Sequence, residues 1–268
     1  MKKALGSVSL IFLLVGSSKA GFLVDFEVSV GGIQQKPSGY ASYKPVIGSD
    51  RIDLKRDANV EDKTNYWVKL KFEHPIPLIP NVKLGHMPMK FDGRGTLNRD
   101  IRWGNFTYRA NTEFDFSVKL DRIDGTLYYN FPFLKTATAG VLDVEFGVNL
   151  RAINFDGKLT GVDKTSSQRV SESKSLTLPI PMGHLAAEIS PIRLISLVGE
   201  LNYVKYDKNS YYDYAAGLRL NSHGILLLPL KPFVEIGYRY ERLKLVDVSD
   251  IDAQVKIKGG YVLVGIKF

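Results

Sequence analysis

From Gly21 onward apolar residues recur at every second position, and a chain written in that period builds strands with two unlike faces rather than amphipathic helices. Phe22, Val24, Phe26, Val28 and Val30 lie opposite Leu23, Asp25, Glu27 and Ser29. Tyr66, Val68, Leu70 and Phe72 lie opposite Trp67, Lys69, Lys71 and Glu73. The same rule sets Phe114, Phe116, Val118 and Leu120 against Asp115, Ser117, Lys119 and Asp121, and Leu142 to Ala152 against Asp143, Glu145, Gly147, Asn149 and Arg151. Late in the chain Tyr212 to Leu220 oppose Asp213 to Asn221, and Val234, Ile236, Tyr238 and Tyr240 oppose Glu235, Gly237, Arg239 and Glu241.

This pattern predicts strands over 22–31, 65–74, 81–91, 113–130, 141–153, 176–190, 194–206, 210–221, 232–243 and 254–268. Segments 81–91 and 176–190 alternate poorly. Segment 113–130 moves its apolar row to odd positions near Asp121-Arg122, which a bulge or an intervening turn would explain. Ten strands satisfy the even count of bacterial single-chain barrels, with eight or twelve as alternatives.

The first twenty residues read as a separate unit. Lys2 and Lys3 precede the apolar run Ile11-Phe12-Leu13-Leu14-Val15, and Ser18-Lys19-Ala20 offers small residues before Gly21. That is the form of a secretory signal peptide over 1–20, leaving 21–268 as the folded domain. Losing Lys2, Lys3 and Lys19 lowers the formal net charge from +8 to +5. The remaining cations are interspersed with carboxylates, so no nucleic-acid partner is expected. The chain has 0 cysteines, which removes disulfides and a lipidated N-terminus from the account.

No run of about 18 apolar residues follows the leader, so no helix crosses a membrane. A transmembrane barrel also averages near-zero hydropathy, since only alternate residues meet lipid. Alternation lasting about nine to eleven residues matches a tilted strand crossing a bilayer. A soluble all-β fold is the competing expectation. The expected architecture is all-β, a closed antiparallel up-and-down transmembrane β-barrel.

The predicted connections are of two kinds. Proline-rich turns at 74–80 and 190–193, with the stretches after Asn130 and Asn221, suit the periplasmic end. Longer polar connections at 32–64, 92–112 and 154–175 suit the outside, and 207–209 is a short exception. Tyr203, Tyr206, Tyr211, Tyr212, Tyr214, Tyr238 and Tyr240 gather near one end of the strands, and Phe72, Tyr128, Tyr129, Phe131 and Phe133 near the other. Such rings suit the two lipid–water interfaces.

Val262, Val264, Ile266 and Phe268 share one face of the final strand, and the chain stops on the aromatic. This resembles the C-terminal assembly signal of outer-membrane barrels. The whole mature chain resembles small integral outer-membrane β-barrel proteins of Gram-negative bacteria, a family without assigned activity. The residues carrying the resemblance are Gln34-Gln35-Lys36-Pro37-Ser38-Gly39, the turn from Phe72 to Asn81, and Thr126-Leu127-Tyr128-Tyr129. It implies location in the cell outer membrane, with the lipid and lipopolysaccharide of that membrane and the barrel assembly machinery as partners. It brings no catalytic residues.

The four histidines, His74, His86, His184 and His223, form no Ser-His-Asp or His-carboxylate order of an enzymatic barrel. No catalytic, cofactor-binding or metal-binding residues are therefore expected. Asp247, Asp250 and Asp252 read as solvated loop charge. The functional clue is a set of charges on the lumen face: Asp25, Glu27, Lys69, Lys71, Asp143, Glu145, Arg151, Arg219, Glu235, Arg239 and Glu241, with Glu73, Lys119 and Glu200 on the same reading. In so narrow a barrel such charges must pair, which predicts a largely plugged lumen. The expected role is structural or surface-interacting and non-catalytic. A narrow porin-like channel comes second and a lipid-modifying enzyme third.

Overall fold

The computed structural model describes residues 24–44, 50–76, 78–222 and 230–268. The predicted leader over 1–20, Phe22 and Leu23 of the first strand, and His223 in the turn after Asn221 lie outside them. The strands are β1 (Asp25–Tyr43), β2 (Ile52–Asp53), β3 (Lys63–Glu73), β4 (Asn81–Met87), β5 (Lys90–Thr96), β6 (Ile101–Trp103), β7 (Phe106–Tyr108), β8 (Glu113–Asn130), β9 (Leu142–Val162), β10 (Arg169–Ile192), β11 (Ile195–Tyr206), β12 (Asn209–Asn221), β13 (Lys231–Val248) and β14 (Ile251–Lys267). One short helix, α1 (Leu134–Ala137), sits in the connection from β8 to β9.

Ten wall positions close on themselves. The order runs β1, β3, β4, β8, β9, β10, β11, β12, β13, β14, every pair antiparallel, and β14 returns to β1 from Glu27↔Lys267 to Tyr43↔Ile251. β4 and β5 follow one register against β8, interrupted only at Pro88 and Met89, and act as one wall strand. Closure leaves no sheet edge within the bilayer, as hydrocarbon requires. Gly39 (φ +108) serves the β1–β14 seam: a Cβ there would stand 1.9 Å from the Gln254 carbonyl oxygen.

All ten predicted segments are wall strands, but the connections at one end are shorter than the pattern suggested. β1 continues to Tyr43, β9 to Val162, and β10 begins at Arg169, so most of 32–43 and 154–175 is strand. The wall is uneven in height. β9 and β10 have 21 and 24 residues, whereas β11 and β12 have 12 and 13. β10 pairs with β9 from Arg169 but meets β11 only from Gly183. Pro179 and Pro181 lie in that overhang, where a missing N–H costs the ladder least.

The predicted face switch in 113–130 does not occur. In β8 the even-numbered residues from Phe114 to Tyr128 are buried without a break. What changes is the content of the inner face, which is charged at Arg122 and Asp124 and apolar from Leu120 to Phe114. Above the bilayer the outer face meets water, so the apolar row turns inward. Lys119 accordingly points outward, beside Asp121 at 3.0 Å, and is not a lumen charge.

Around the middle of the barrel the outward rows are apolar and exposed, with Val148 at 56%, Ile236 at 57% and Val264 at 55%. Tyr203, Tyr214 and Tyr238 border this band at one end, and Phe72, Tyr129, Phe131 and Phe133 at the other. Tyr211 and Tyr128 depart from the expected girdles: both are buried in the interior. At the tall end, Ile52, Leu54, Val60, Trp103 and Tyr108 of the connecting segments join Phe91, Phe114, Phe116, Leu159 and Val255 of the wall in one buried apolar cluster.

Candidate functional site: the charged lumen

Alternation sends the second face of every wall strand into the lumen, so each inward charge is placed by strand parity alone. The register then sets which charges share a level. At the periplasmic end Asp25 lies 3.5 Å from Lys267, half exposed, and Asp143 lies 2.9 Å from Lys135 of α1. Deeper in, Arg219 of β12 donates to both Glu27 oxygens at 3.0 and 3.1 Å and to Glu235 at 2.8 Å. β12 and β1 are three wall steps apart, so this contact crosses the lumen.

The next level is built by Lys69, Lys71, Glu145 and Glu200. Lys69 donates to Glu200 Oε2 at 3.0 Å, and its strand β3 stands five steps from β11, on the opposite wall. Lys71 donates to Glu145 Oε1 at 2.7 Å and lies 3.1 Å from Glu73. Lys83 holds the other oxygen of Glu145. Tyr261 donates to Glu235 at 2.8 Å, tying this level to the one below.

The third level is the most buried. Asp213 lies 2.7 Å from Arg239 in an ion pair and also contacts Arg151 and, at 3.8 Å, Arg122. Arg151 donates to Asp124 at 2.6 Å, and Arg122 to Glu241 at 2.7 Å. The side chains of Arg122, Arg151 and Asp213 are exposed by 1% or less. Tyr211 donates to Glu241, and its ring lies under Arg151. Directly beyond this level Leu120, Ile153, Met182, Leu243 and Ile257 begin the apolar cluster.

All eleven of Asp25, Glu27, Lys69, Lys71, Asp143, Glu145, Arg151, Arg219, Glu235, Arg239 and Glu241 thus stand on the inner face in ion pairs with other wall or turn residues. Sequence reasoning missed Arg122, Asp124, Lys83 and Asp213. The parity of Leu127 and Tyr129, carried back without a switch, would have found Arg122 and Asp124. Lys83 lies in the poorly alternating 81–91 segment, and Asp213 stood on the polar face without being counted.

Three histidines are described. His74 sits in a turn and accepts from the Ile76 N–H at 3.2 Å. His86 lies against Tyr66 on the outer wall. His184 is in the lumen, 2.8 Å from Asn202 Oδ1 and 3.9 Å from Glu145, with its side chain closed to solvent. None is set beside a nucleophile at an accessible mouth. Asp247 and Asp252 shape the tight β13–β14 turn, where Asp252 Oδ1 accepts from the Asp247 N–H at 3.0 Å. Among the described residues no group of three or more potential ligands gathers for a metal.

The last strand completes the closure. Val262, Val264 and Ile266 point outward into the apolar band, and the Phe268 N–H donates to the Phe26 carbonyl at 2.8 Å. The two rings lie 5.9 Å apart. Closed walls, an exposed apolar belt bordered by aromatic rings and a polar interior are the features of an integral outer-membrane β-barrel.

No family model matches the chain, and no curated protein does. Solved structures similar to it include the outer membrane protease OmpT from Escherichia coli, at 9% identity over 94% of this chain and 99% of that one, with a TM-score of 0.48. The translocator domain of autotransporter NalP from Neisseria meningitidis is 12% identical, covering 98% and 94%, with a TM-score of 0.39. Ail, the attachment invasion locus protein of Yersinia pestis, is 12% identical, covering 91% and 99%, with a TM-score of 0.32. Likenesses at these scores carry no argument about activity, and the barrel rests on its own strand ladders.

Proposed function

We propose that this outer-membrane barrel is non-catalytic and non-conducting, and that its role lies at its external end as a structural or surface-interaction protein. The observation that carries the reading is the span of the lumen ion pairs. Lys69 with Glu200 and Arg122 with Glu241 join opposite walls at 3.0 and 2.7 Å. Contacts that bridge the lumen narrow its bore at those levels, and ten strands give a barrel little wider than the eight that side chains fill. Beyond the ion pairs lies the apolar cluster around Phe91, Phe116 and Trp103, which would oppose the passage of any hydrated ion.

The non-catalytic part of the reading rests on access. Among the described residues His184 is the histidine with a carboxylate nearby, and its side chain is closed to solvent, where no substrate reaches a proton it could move. The tall external walls, in contrast, hold a rigid surface above the membrane, the usual setting for interaction loops.

Liposome swelling with small neutral sugars, run alongside turnover assays with glycolipid, phospholipid and peptide substrates, tests this directly. Refolded protein is expected to admit no solute above protein-free vesicles and to turn over no substrate. Uptake would replace the reading with a narrow channel, and turnover would replace it with an enzyme.

A further inference from the structure

On the outward face of the barrel, just beyond the apolar band, six cations gather on β1, β14, β13 and β11, within a stretch of five adjoining wall strands. Lys36 of β1 pairs in register with Lys258 of β14, and Lys256 of β14 pairs with Arg242 of β13. Lys244 follows Arg242 on the same face of β13. Ser210 of β12 joins Lys244 to Lys205 of β11, since it pairs with both. Two of these are direct like-charge cross-strand pairs, an arrangement that destabilises a sheet. Among the described residues, none of the six makes an ion pair within 4.0 Å. Asp62, at the rim near Lys36, is engaged by Lys55 at 2.6 Å. Asp252, at the other rim, holds the Asp247 N–H. Arg242 donates to Gln254 at 3.0 Å, while its buried Nε finds no partner.

The level of the cluster says what kind of anion would meet it. Along the outer face of β13 the order is Val234, Ile236, Tyr238, Tyr240, Arg242, Lys244. Along β14 it runs from Ile266, Val264 and Val262 through Gly260 to Lys258 and Lys256. The sequence apolar, aromatic or small, then cationic is the profile of hydrocarbon, interface and headgroup layers. Tyr240 stacks on Tyr212 and Tyr214, with ring centroids 5.9 and 5.4 Å apart, directly below Arg242. Two residues of strand advance about 7 Å, so Arg242 stands within one headgroup depth of that aromatic stack. This is also the short side of the wall, where β11 and β12 end. A soluble anion would have no reason to select this depth.

We propose that Lys36, Lys205, Arg242, Lys244, Lys256 and Lys258 form a binding site for the phosphate groups of a phosphorylated glycolipid of the outer leaflet, with its acyl chains lying on the β12–β14 wall. The lipid phosphates relieve the like-charge pairs and supply the anionic partners these cations lack. The site does not depend on whether the lumen conducts.

The test is thermal unfolding of the folded barrel in neutral detergent, titrated with a bis-phosphorylated lipid A glycolipid, with its dephosphorylated form, and with inorganic phosphate. Retained lipid is counted by native mass spectrometry. The phosphorylated glycolipid is expected to raise Tm in a concentration-dependent way and to remain bound to one face, with the effect weakening as salt rises. The dephosphorylated form and inorganic phosphate are expected to leave Tm unchanged. A triple variant, Arg242→Gln, Lys256→Gln and Lys258→Gln, should lose the shift and most of the retained lipid, while Lys256→Arg keeps both. Folding of each variant is verified by its heat-dependent gel mobility. Lys119→Gln with Lys158→Gln, on the other side of the barrel, should bind as wild type does. Equal shifts from both glycolipid forms, a shift from inorganic phosphate alone, or full retention by the folded triple variant would overturn the proposal.

Discussion

Arg122 of β8 and Glu241 of β13 stand on diametrically opposed walls of a ten-position ring, yet Arg122 Nη1 lies 2.7 Å from Glu241 Oε2. Two long side chains meeting at the axis fix the separation of the walls as well as the charge of the lumen. Asp213 holds the same level together by contacting Arg151, Arg239 and Arg122. Its removal leaves several guanidinium groups facing one another in a closed space.

Asp213→Ala should therefore destabilise the barrel by about 3–5 kcal/mol, the cost of stranding buried charge. Urea unfolding in lipid vesicles measures it. The exposed pair of Arg94 with Asp115, at 2.7 Å, supplies the contrast. Asp115→Asn should change stability by less than about 1 kcal/mol, because solvent screens that pair. Equal effects would mean that the lumen level is as well hydrated as the surface.

Trp103 anchors the β6–β7 hairpin in the external apolar cluster, edge-on to Tyr43 and Phe116 at 6.1 and 5.5 Å. Trp103→Ala should loosen the hairpin by about 3–5 kcal/mol of lost burial. Proteolysis of folded protein in vesicles is expected to cleave within 97–112 in the variant and to spare the membrane-level wall. Cleavage at wild-type rate would show that the hairpin is held by its hydrogen bonds instead.

The external turns carry an acid-sensitive contribution. Asp100 is held below its ordinary value of 3.8 by the hydrogen bond from Lys164, with help from the Ala110 N–H. Asp163 is lowered by the Ser166 backbone N–H and then by its hydroxyl. A carboxylate with a depressed folded-state pKa stabilises fully above its unfolded value and loses that stability as pH falls through the folded value. The external turns should hold at pH 5 and above, and loosen as pH drops below about 3.8, in the order-of-magnitude sense of such linkage. Amide hydrogen exchange at 97–112 and 163–168 measures this, with Asp100→Asn removing part of the pH dependence.

Much of this architecture is legible in the chain because membrane strands obey parity strictly. Glu235, Arg239 and Glu241 alternate with Val234, Ile236, Tyr238 and Tyr240, and in the barrel the first set faces the lumen. Parity fails as a guide where the surroundings change along one strand. In β8 the inward residues Phe114, Phe116, Val118 and Leu120 are apolar because they line a core above the membrane, whereas Leu127 and Tyr129 point outward because lipid is there. A single strand crossing two solvents imitates a bulge. The extent of β1 beyond Gly31 was obscured likewise, since Gln35, Pro37 and Gly39 lack the contrast that reveals a strand. Cross-lumen pairing was out of reach for a different reason: register fixes neighbours, whereas Lys69 with Glu200 depends on the closure of the whole ring.

Single-channel conductance of the refolded barrel in a planar lipid bilayer tests the central claim most directly, with insertion verified by heat-dependent gel mobility of the same sample. The cross-lumen pairs and the apolar cluster above them predict a silent membrane at all applied voltages. They also predict that silence persists in Asp115→Asn, whose charge lies outside the lumen. Stable, repeatable current steps from wild-type protein would contradict the account and make transport its function.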